Sequence, residues 1–595
     1  MMSKTMNKTL LPIILLAVLP LSCTGFLDPL PNGSYNSTNY QDYPKLIAGY
    51  IDKAYELLPN SYLSDEFIGM DAASDDAIFR EETAQMHQLS RGITLISNYP
   101  LSSCWERDYK ALYYVNLFLE DGTGIRQHYK VDTMRDSVLR RTLQGDAYGL
   151  RAWYHFDLLR KFSGTGTDGR LLGISPMLAP TTYENEGIRT YTRQTFDESV
   201  ATILQDCDSA IVYLPVANRD FLMDEGSPDD ILGSVRYKRL DRASIHALKA
   251  LVYLMWASPA FNPENKSDRW EKAAQEAFRV MEYKMTKENV PGGFDPRSAV
   301  PWTDPNAPEA LWASNTTKNG AFEQAFYPAG FNGTAKYGPT QELADAFPMA
   351  NGYPIADPRS GYDPARPYEG RDPRFYTTFF HHGASVKRNG TGAAMYTFDM
   401  QKGGKDAAGG VSTSPTNYYI RKYVYLGWNG YDNTVNTAPH CIFFLRWTEM
   451  VLAFAEAANR VAGPLDDRFG MSAHDAVAML RRRPVAAGMG SIGAAGEDAY
   501  LEECSASAQA FEALVRNEWR LETCFEGQRL YHLFRWGENN ALNAPLHRPV
   551  FEDGETPGTE VVTQRAYPAL SLPIPATEMR KTHGMVQNKG WETWK

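Results

Sequence analysis

The chain has 595 residues, of which 43% are hydrophobic and 22% are charged, which is the composition of a globular rather than a disordered protein. The formal net charge of −11 argues against nucleic acid as a partner, because phosphate binding requires clustered cations. None of the six cysteines belongs to a CxxC motif or to a cysteine–histidine cluster at zinc spacing, so we expect no metal site and no cofactor.

Residues 1–22 carry the pattern of a secretory signal peptide, in which two lysines precede the apolar stretch "LLPIILLAVLPL". That stretch of about a dozen residues is too short for a permanent transmembrane helix. The small residue before Cys23 resembles a lipobox, so we expect Cys23 to be acylated. Pro20 stands where leucine is usual, and a plain signal-peptidase site nearby is the alternative. Residues 23–40 predict a short tether, so a lipid alone would attach the exported protein to a membrane.

Apolar residues spaced by three and four predict helices on both sides of a loop-rich region. Residues 41–289 and 441–595 carry this periodicity, and Asp241 stands at the N-cap position of one predicted helix. Residues from about 290 to 440 are instead rich in glycine, proline, asparagine and aromatic residues. The pattern predicts one mainly α-helical domain over residues 41–595, in which helix pairs flank a long loop-rich insertion. Such pairs stack into solenoids, although no 34-residue tetratricopeptide consensus is present.

The segment "RNEWRLETCFEGQRLYHLFRWG" at residues 516–537 combines charged and aromatic side chains in one predicted helix. At helical spacing its three glutamates fall close to the core, where carboxylates need cationic partners; they are Glu518, Glu522 and Glu526. Four arginines of the segment have forked donors suited to such pairing: Arg516, Arg520, Arg529 and Arg535. We expect a direct Glu526–Arg529 contact and further pairs with neighbouring helices. A hydrolytic pair would need two carboxylates about 5–9 Å apart across an open cleft, so the segment predicts a structural scaffold.

Two further motifs have both a structural and a functional interpretation. The arginines of "RDPRF" at residues 371–375 are either an anion clamp or, more commonly for arginines beside a proline turn, a pin between loops and a helical layer. The pair His381 and His382 lacks a third metal ligand at sensible spacing. The chain contains no GxSxG, HExxH, P-loop or GxGxxG motif, so the sequence predicts no catalytic site.

Candidate ligand-binding residues lie in loops that combine aromatic and polar side chains. Sugar rings stack on aromatic planes, and such loops carry recognition when a rigid scaffold presents them. Residues 315–338 and 425–433 supply this mixture, and residues 97–100, just before a predicted helix, are a third candidate. Glycines on both sides of Trp428 are expected to leave its indole with little local packing. The predicted ligand-binding residues are Tyr99, Phe322, Phe326, Tyr327, Phe331, Trp428, Asn429 and Tyr431. Loop packing is the alternative for every ring.

Several segments resemble, in order along the chain, motifs of the SusD/RagB family of outer-membrane, substrate-binding lipoproteins. They include "LRAWYHFDLLRKFSG" at 150–164, "PTQELADAFPMANGYPI" at 339–355, "YEGRDPRFYTTFF" at 368–380 and "FFLRWTEMVLAFAEAANR" at 443–460, followed by the 516–537 segment. The resemblance implies a SusD-like fold, with a tetratricopeptide-like helical scaffold and an insertion that carries the ligand-binding surface.

The same resemblance implies a function. The protein would be a non-enzymatic receptor, lipid-anchored at the outer membrane on the cell surface. It would capture an oligosaccharide or other glycan and deliver it to a TonB-dependent, SusC-like outer-membrane transporter. A peptide receptor of the same type and a surface glycoside hydrolase are the alternatives.

Overall fold

The computed structural model describes residues 44–93, 96–181, 192–215, 236, 238–286, 302–390, 394–483, 492 and 498–594. The predicted signal peptide at residues 1–22, the predicted tether at residues 23–40 and the predicted acylation site Cys23 lie outside these residues. The helices are α1 (Pro44–Glu56), α2 (Ile68–Ala72), α3 (Gln85–Ser90), α4 (Ser102–Leu119), α5 (Thr133–Phe162), α6 (Phe196–Tyr213), α7 (Arg242–Ala257), α8 (Ser267–Met285), α9 (Ala321–Phe326), α10 (Gln341–Ala346), α11 (Pro373–Thr378), α12 (Trp447–Ala462), α13 (Ala473–Arg481), α14 (Ala499–Cys504), α15 (Ala508–Thr523), α16 (Arg529–Trp536), α17 (Asn539–Asn543) and α18 (Ala576–Lys581).

The strands are short, and each sheet in the described ranges consists of two antiparallel strands. They are β1 (Ala77–Phe79), β2 (Gly164–Thr165), β3 (Leu171–Leu172), β4 (Ala310–Ala313), β5 (Thr317–Asn319), β6 (Tyr337–Pro339), β7 (Phe379–Phe380), β8 (Ser385–Lys387), β9 (Met395–Thr397), β10 (Tyr419–Ile420), β11 (Ala438–His440), β12 (Phe443–Arg446), β13 (Pro545–Val550) and β14 (Gly558–Gln564).

The long helices pack side by side in chain order. α4 packs on α5, α5 on α6, α6 on α7, α7 on α8, α8 on α12, and α12 on α15. The prediction of a mainly α-helical fold is confirmed. Asp241 caps α7 as predicted, because its Oδ1 accepts a hydrogen bond from the backbone N–H of Ser244 at 2.9 Å. No helix in the described ranges is both long and apolar enough to cross a bilayer.

Between α8 and α12 the chain forms mostly short strands and helices, and β6 connects this region to the N-terminal part of the chain. In the β1–β6 pair Ala77 lies opposite Pro339, and Phe79 lies opposite Tyr337. This antiparallel pairing holds residues 336 and 337 next to the segment that precedes α2 and to the start of α4. Because of the β1–β6 pairing, parts of the chain that are far apart in sequence meet at one surface.

Residues 516–537 form two helices rather than the one predicted. α15 ends at Thr523 and α16 begins at Arg529. Between them Phe525 and Gly527 have φ angles of 65° and 77°, which a right-handed helix does not allow. The backbone N–H of Gly527 donates to Oδ2 of Asp71 at 2.5 Å, so a contact from the N-terminal part of the chain holds this turn.

The three glutamates of this segment are buried and paired with cations, as predicted. Their partners are Arg374 and Arg481 for Glu518, Arg374 and Arg483 for Glu522, and Lys422 and Arg446 for Glu526. The predicted Glu526–Arg529 contact is wrong, because the turn directs Arg529 towards Asp75, whose Oδ1 lies 2.8 Å from Nε of Arg529. The segment is a scaffold, but every partner of its glutamates comes from elsewhere in the chain.

The "RDPRF" motif also has a packing role. Arg371 donates to the backbone carbonyls of Phe347 at 2.8 Å and of Pro367 at 3.0 Å, and Arg374 reaches Glu518. These contacts pin the loops to the helical layer, so the anion-clamp interpretation does not apply. The five cysteines in the described ranges are buried free thiols: Cys104, Cys207, Cys441, Cys504 and Cys524.

Candidate functional site

Most of the predicted ligand-binding residues are buried. Seven of the eight are inaccessible to a ligand in this structure: Tyr99, Phe322, Phe326, Tyr327, Phe331, Trp428 and Asn429. The rings pack on one another, with the centroids of Tyr327 and Phe331 only 4.3 Å apart. The interpretation of these rings as open stacking surfaces is therefore wrong, and the alternative of loop packing describes them.

Trp428 shows why the local sequence was misleading. Its ring lies parallel to that of Tyr327 at a centroid distance of 5.9 Å and is only 3% exposed. A Cβ at Gly430 would lie 2.5 Å from the indole, and a Cβ at Gly320 would lie 2.7 Å from its Nε1. The glycines thus make room for a packed ring rather than expose it.

Tyr431 is the exposed member of the predicted set, with 64% of its surface accessible. Its hydroxyl donates to the carbonyl of Ala329 at 2.7 Å, and its backbone N–H donates to Oδ1 of Asn429 at 3.1 Å. The buried Asn429 donates in turn to the carbonyl of Asn389 at 2.9 Å. The predicted loops at 315–338 and 425–433 therefore do meet, and Tyr431 and the half-exposed Tyr425 are both accessible in the second of them.

A cleft of about 510 Å³ lies where three stretches of chain meet. Its walls are residues 63–66 before α2, residues 100–107 around the start of α4, and residues 336–337 at the start of β6. Two of the predicted loops thus contribute to the cleft, through Pro100, Lys336 and Tyr337. The neighbouring Tyr99 does not, because its ring packs edge-on against Trp594. Sequence reasoning missed residues 63–66, whose only signal is the polar run "SDE".

Three polar groups of the cleft lack a partner among the described residues. The hydroxyl of Ser64 is buried without a hydrogen bond. The carboxylate of Asp65 makes no hydrogen bond or ion pair there, and burial raises its pKa. The ammonium of Lys336 forms no ion pair in the described ranges and lies 5.4 Å from the ring centroid of Tyr337. Asp65 is half-buried and Lys336 is exposed, so a ligand in the cleft can reach the carboxylate and the ammonium, while the buried Ser64 hydroxyl is the one group of the three that is left unsatisfied.

The second carboxylate of the cleft is already engaged. Glu66 accepts from Nη1 of Arg107 at 2.5 Å and from Nζ of Lys161 at 3.0 Å. Although burial alone would raise its pKa, these two cations lower the pKa of Glu66 below its usual value. Arg107 also donates to Asp157 at 2.9 Å, so a buried ionic network holds this wall of the cleft. Glu66 is therefore ionised at neutral pH and is held in place by these partners.

The histidine pair is part of the loop packing. Nδ1 of His381 lies 2.8 Å from the backbone carbonyl of His382, and the His381 ring stacks on Tyr368 at 4.3 Å. Within the described ranges no group of three His, Cys, Asp or Glu side chains is placed to hold a metal ion.

Comparisons with known proteins cover both halves of the chain. Residues 304–591 match a family model described as the SusD family, and residues 25–223 match a model described as starch-binding associating with outer membrane. No curated protein matches the chain.

Three solved structures show the same fold. A SusD-like protein from Bacteroides fragilis is 21% identical, with a TM-score of 0.70 over 94% of this chain and 99% of that chain. A SusD-like carbohydrate binding protein from the same organism is 18% identical, with a TM-score of 0.65 over 92% and 99% of the two chains. A laminarin binding SusD-like protein is 15% identical, with a TM-score of 0.55 over 94% and 100%. With both family models matched in order along this helical scaffold, the chain belongs to the SusD/RagB family.

Proposed function

We propose that this protein is a cell-surface receptor that binds a glycan in the cleft and delivers it to a TonB-dependent, SusC-like transporter of the outer membrane. The observation that carries the binding step is the set of unpartnered groups on Ser64, Asp65 and Lys336. Sugar hydroxyls donate to a carboxylate and accept from an ammonium, so one glycan can satisfy all three groups. The starch-binding description of the matched family model and the laminarin-binding description of a similar structure also favour a glycan.

The cleft supports binding rather than hydrolysis. Glycoside hydrolysis needs two available carboxylates on either side of the scissile bond. Asp65 is available, but both carboxylate oxygens of Glu66 are engaged, Oε1 by Arg107 and Oε2 by Lys161, so Glu66 has no free oxygen with which to attack a sugar or to activate a water. A receptor is therefore the better-supported function, and a surface glycoside hydrolase is the weaker alternative.

Tyr431 supplies a second contact in this proposal. The hydrogen bond from its hydroxyl to Ala329 already holds the exposed ring in place. Stacking on a ligand would therefore cost the Tyr431 side chain little conformational entropy. Tyr425, in the same loop, is also accessible. We infer that a long glycan occupies the cleft and that the ring of Tyr431 contacts part of it.

Attachment to the outer membrane through acylated Cys23 completes the proposal. The signal-like residues 1–22 and the lipobox-like residues before Cys23 support it, as does the outer-membrane description of the matched family model. A lipid anchor would keep the receptor beside the transporter that accepts its ligand, which raises the local concentration of both.

Isothermal titration with neutral starch-derived and laminarin-derived oligosaccharides tests the binding step. Asp65→Ala and Lys336→Ala should each weaken binding by about tenfold, because each removes a hydrogen bond to a charged group. Lys318→Ala is the matched control, since Lys318 is an exposed lysine of the same segment that does not line the cleft.

Three outcomes would contradict the proposal. Cleft variants that bind as tightly as the unaltered protein would move the site elsewhere. Binding of a peptide panel without any glycan binding would make the protein a peptide receptor. Hydrolysis of an oligosaccharide that a single Asp or Glu substitution abolishes would make it an enzyme.

A further inference from the structure

A second opening, separate from the cleft, lies beside strand β14. This groove has a volume of about 600 Å³, within the range of small-molecule binding sites. One wall is β14 at residues 561–564, and the other includes residues 78–80 and α3 with the residue that follows it. Residues 409–415 contribute further lining. No residue of the groove belongs to the cleft.

The charged lining of the groove is mostly cationic. Arg80, Arg91 and Arg548 line it, whereas Glu82 is the one lining carboxylate in the described ranges. This differs from the chain as a whole, whose net charge is −11. It also differs from the cleft, where Asp65 and Glu66 balance Arg107 and Lys336. A balanced cleft suits neutral hydroxyl groups, whereas an arginine-lined groove suits an anion.

Arg80 and Arg91 are not committed to strong internal pairs, whereas Arg548 has two partners. Arg91 lies 4.0 Å from Glu82, and Arg80 lies 3.4 Å from Glu81; both carboxylates are well exposed. Arg548 pairs with the half-exposed Glu560 at 2.5 Å, and its Nη1 donates to the carbonyl of Pro415 at 3.0 Å. Exposed ion pairs contribute little, so a ligand carboxylate can replace these partners.

Two buried nitrogen atoms of the groove lack partners. His87 is only 3% exposed, and its Nδ1 has no hydrogen-bond partner in the described part of the chain. Nε of Arg80 is likewise buried and unpaired there. Burial, with Arg565 and Arg91, lowers the pKa of His87 to about 4, so the neutral ring sits in a positive local potential. Nε of Arg80 can only donate, whereas Nδ1 of the neutral His87 ring donates or accepts according to its tautomer, so both are unsatisfied hydrogen-bonding positions of the groove.

We propose that this groove is a second binding site, which takes an oligosaccharide that carries carboxylate groups. The three arginines bind the carboxylates, and the unpaired nitrogens of Arg80 and His87 hydrogen-bond to hydroxyl groups of the ligand, which can both donate and accept. Val561, which is exposed on β14, offers an apolar contact for the face of a sugar ring. The inference rests on the proposed glycan-binding function and extends it to a class of acidic ligand.

Titration with a galacturonate trimer and with its fully methyl-esterified counterpart tests this assignment. The acidic trimer should bind, the ester should bind at least about tenfold more weakly, and added salt should weaken only the acidic trimer. The double variant Arg80→Ala/Arg91→Ala should bind the acidic trimer about tenfold or more weakly than the unaltered protein. Glu82→Gln should instead tighten its binding, because a competing carboxylate is removed from Arg91.

The cleft variant Lys336→Ala separates this site from the cleft. If Lys336→Ala weakens binding of the trimer while Arg80→Ala/Arg91→Ala does not, the acidic ligand belongs to the cleft and the groove assignment fails. Equal binding of trimer and ester, or no binding of the trimer, also overturns the assignment. Titration with neutral oligosaccharides in parallel tests the proposed function alone. A failure of that function is thereby distinguished from a failure of the groove assignment. The opposite effects of Glu82→Gln and the double variant, with melting temperatures recorded, exclude misfolding as the cause.

Discussion

Oε2 of Glu526 accepts a hydrogen bond from Nε of Arg446 at 2.8 Å, and this contact joins the turn between α15 and α16 to the end of β12. Nη2 of Arg446 reaches the other carboxylate oxygen at 2.9 Å, and Nζ of Lys422 reaches it at 2.8 Å. All three side chains are largely buried. The contact is therefore a desolvated ion pair, in which each charge depends on the other.

Glu526→Ala should lower the free energy of unfolding by about 3–5 kcal/mol, because it leaves Arg446 buried with one carboxylate partner fewer. Urea denaturation followed by circular dichroism measures this. Glu56→Ala is the control, since the exposed Lys53–Glu56 pair should contribute little to stability. An unchanged stability together with lost ligand binding would move Glu526 from the scaffold to a binding site.

The lowered pKa of Glu522 in the folded protein predicts a loss of stability in acid. Although burial alone would raise its pKa, Arg483, Arg374 and Arg446 lower the pKa of Glu522 from 4.5 to about 2. The folded value lies below the unfolded one, so its stabilisation is fully present above the unfolded pKa and is lost as the pH falls towards the folded pKa. The loss should be about 3 kcal/mol. Denaturation curves between neutral and acidic pH measure it, and Glu522→Gln should show a shallower dependence than the unaltered protein. An unchanged dependence in the variant would contradict this assignment.

Trp428→Ala should destabilise the protein by about 3–5 kcal/mol, because it leaves a cavity between Tyr327 and the backbone at Gly320 and Gly430. Thermal unfolding measures the effect. Ligand affinity of the folded fraction should change little. A variant that keeps its melting temperature but loses glycan binding would restore Trp428 as a ligand contact.

Tyr431→Ala should have the opposite profile. The exposed ring contributes little to packing, so stability should change by no more than about 0.5 kcal/mol. Affinity for a long oligosaccharide should fall by about tenfold if the ring stacks on the ligand. Tyr431→Phe is the matched control, since it removes only the hydrogen bond to Ala329 and keeps the ring. Equal binding by all three proteins would remove Tyr431 from the site.

Cys23→Ala should release the protein from membranes into the supernatant after ultracentrifugation. Acyl chains contribute about 0.8 kcal/mol for each buried methylene, and two or more chains make attachment essentially permanent. Cell fractionation with an antibody against the protein measures this, with Cys504→Ala as the cysteine control. Membrane association that survives Cys23→Ala would indicate that the transporter partner holds the protein instead.

Local patterns in the sequence determined the helical scaffold and the role of residues 516–537. Helical spacing and the cap at Asp241 depend on contacts within a few residues, so the chain encodes them without reference to the fold. The burial of Glu518, Glu522 and Glu526 among aromatic residues likewise required cations, because an unpaired buried carboxylate is too costly in any arrangement.

Only the tertiary structure decided which cations pair with these glutamates and which loop rings are exposed. Arg446 rather than Arg529 pairs with Glu526, because the positive φ angles of Phe525 and Gly527 break the helix that would have brought Arg529 alongside. An aromatic ring in a loop is exposed only where no distant loop covers it. The composition of the loop is the same whether or not the ring is covered. Trp428 is covered, whereas Tyr431 is not. The cleft exists because the β1–β6 pairing carries Lys336 next to Ser64, a contact between residues far apart in sequence that no local pattern encodes.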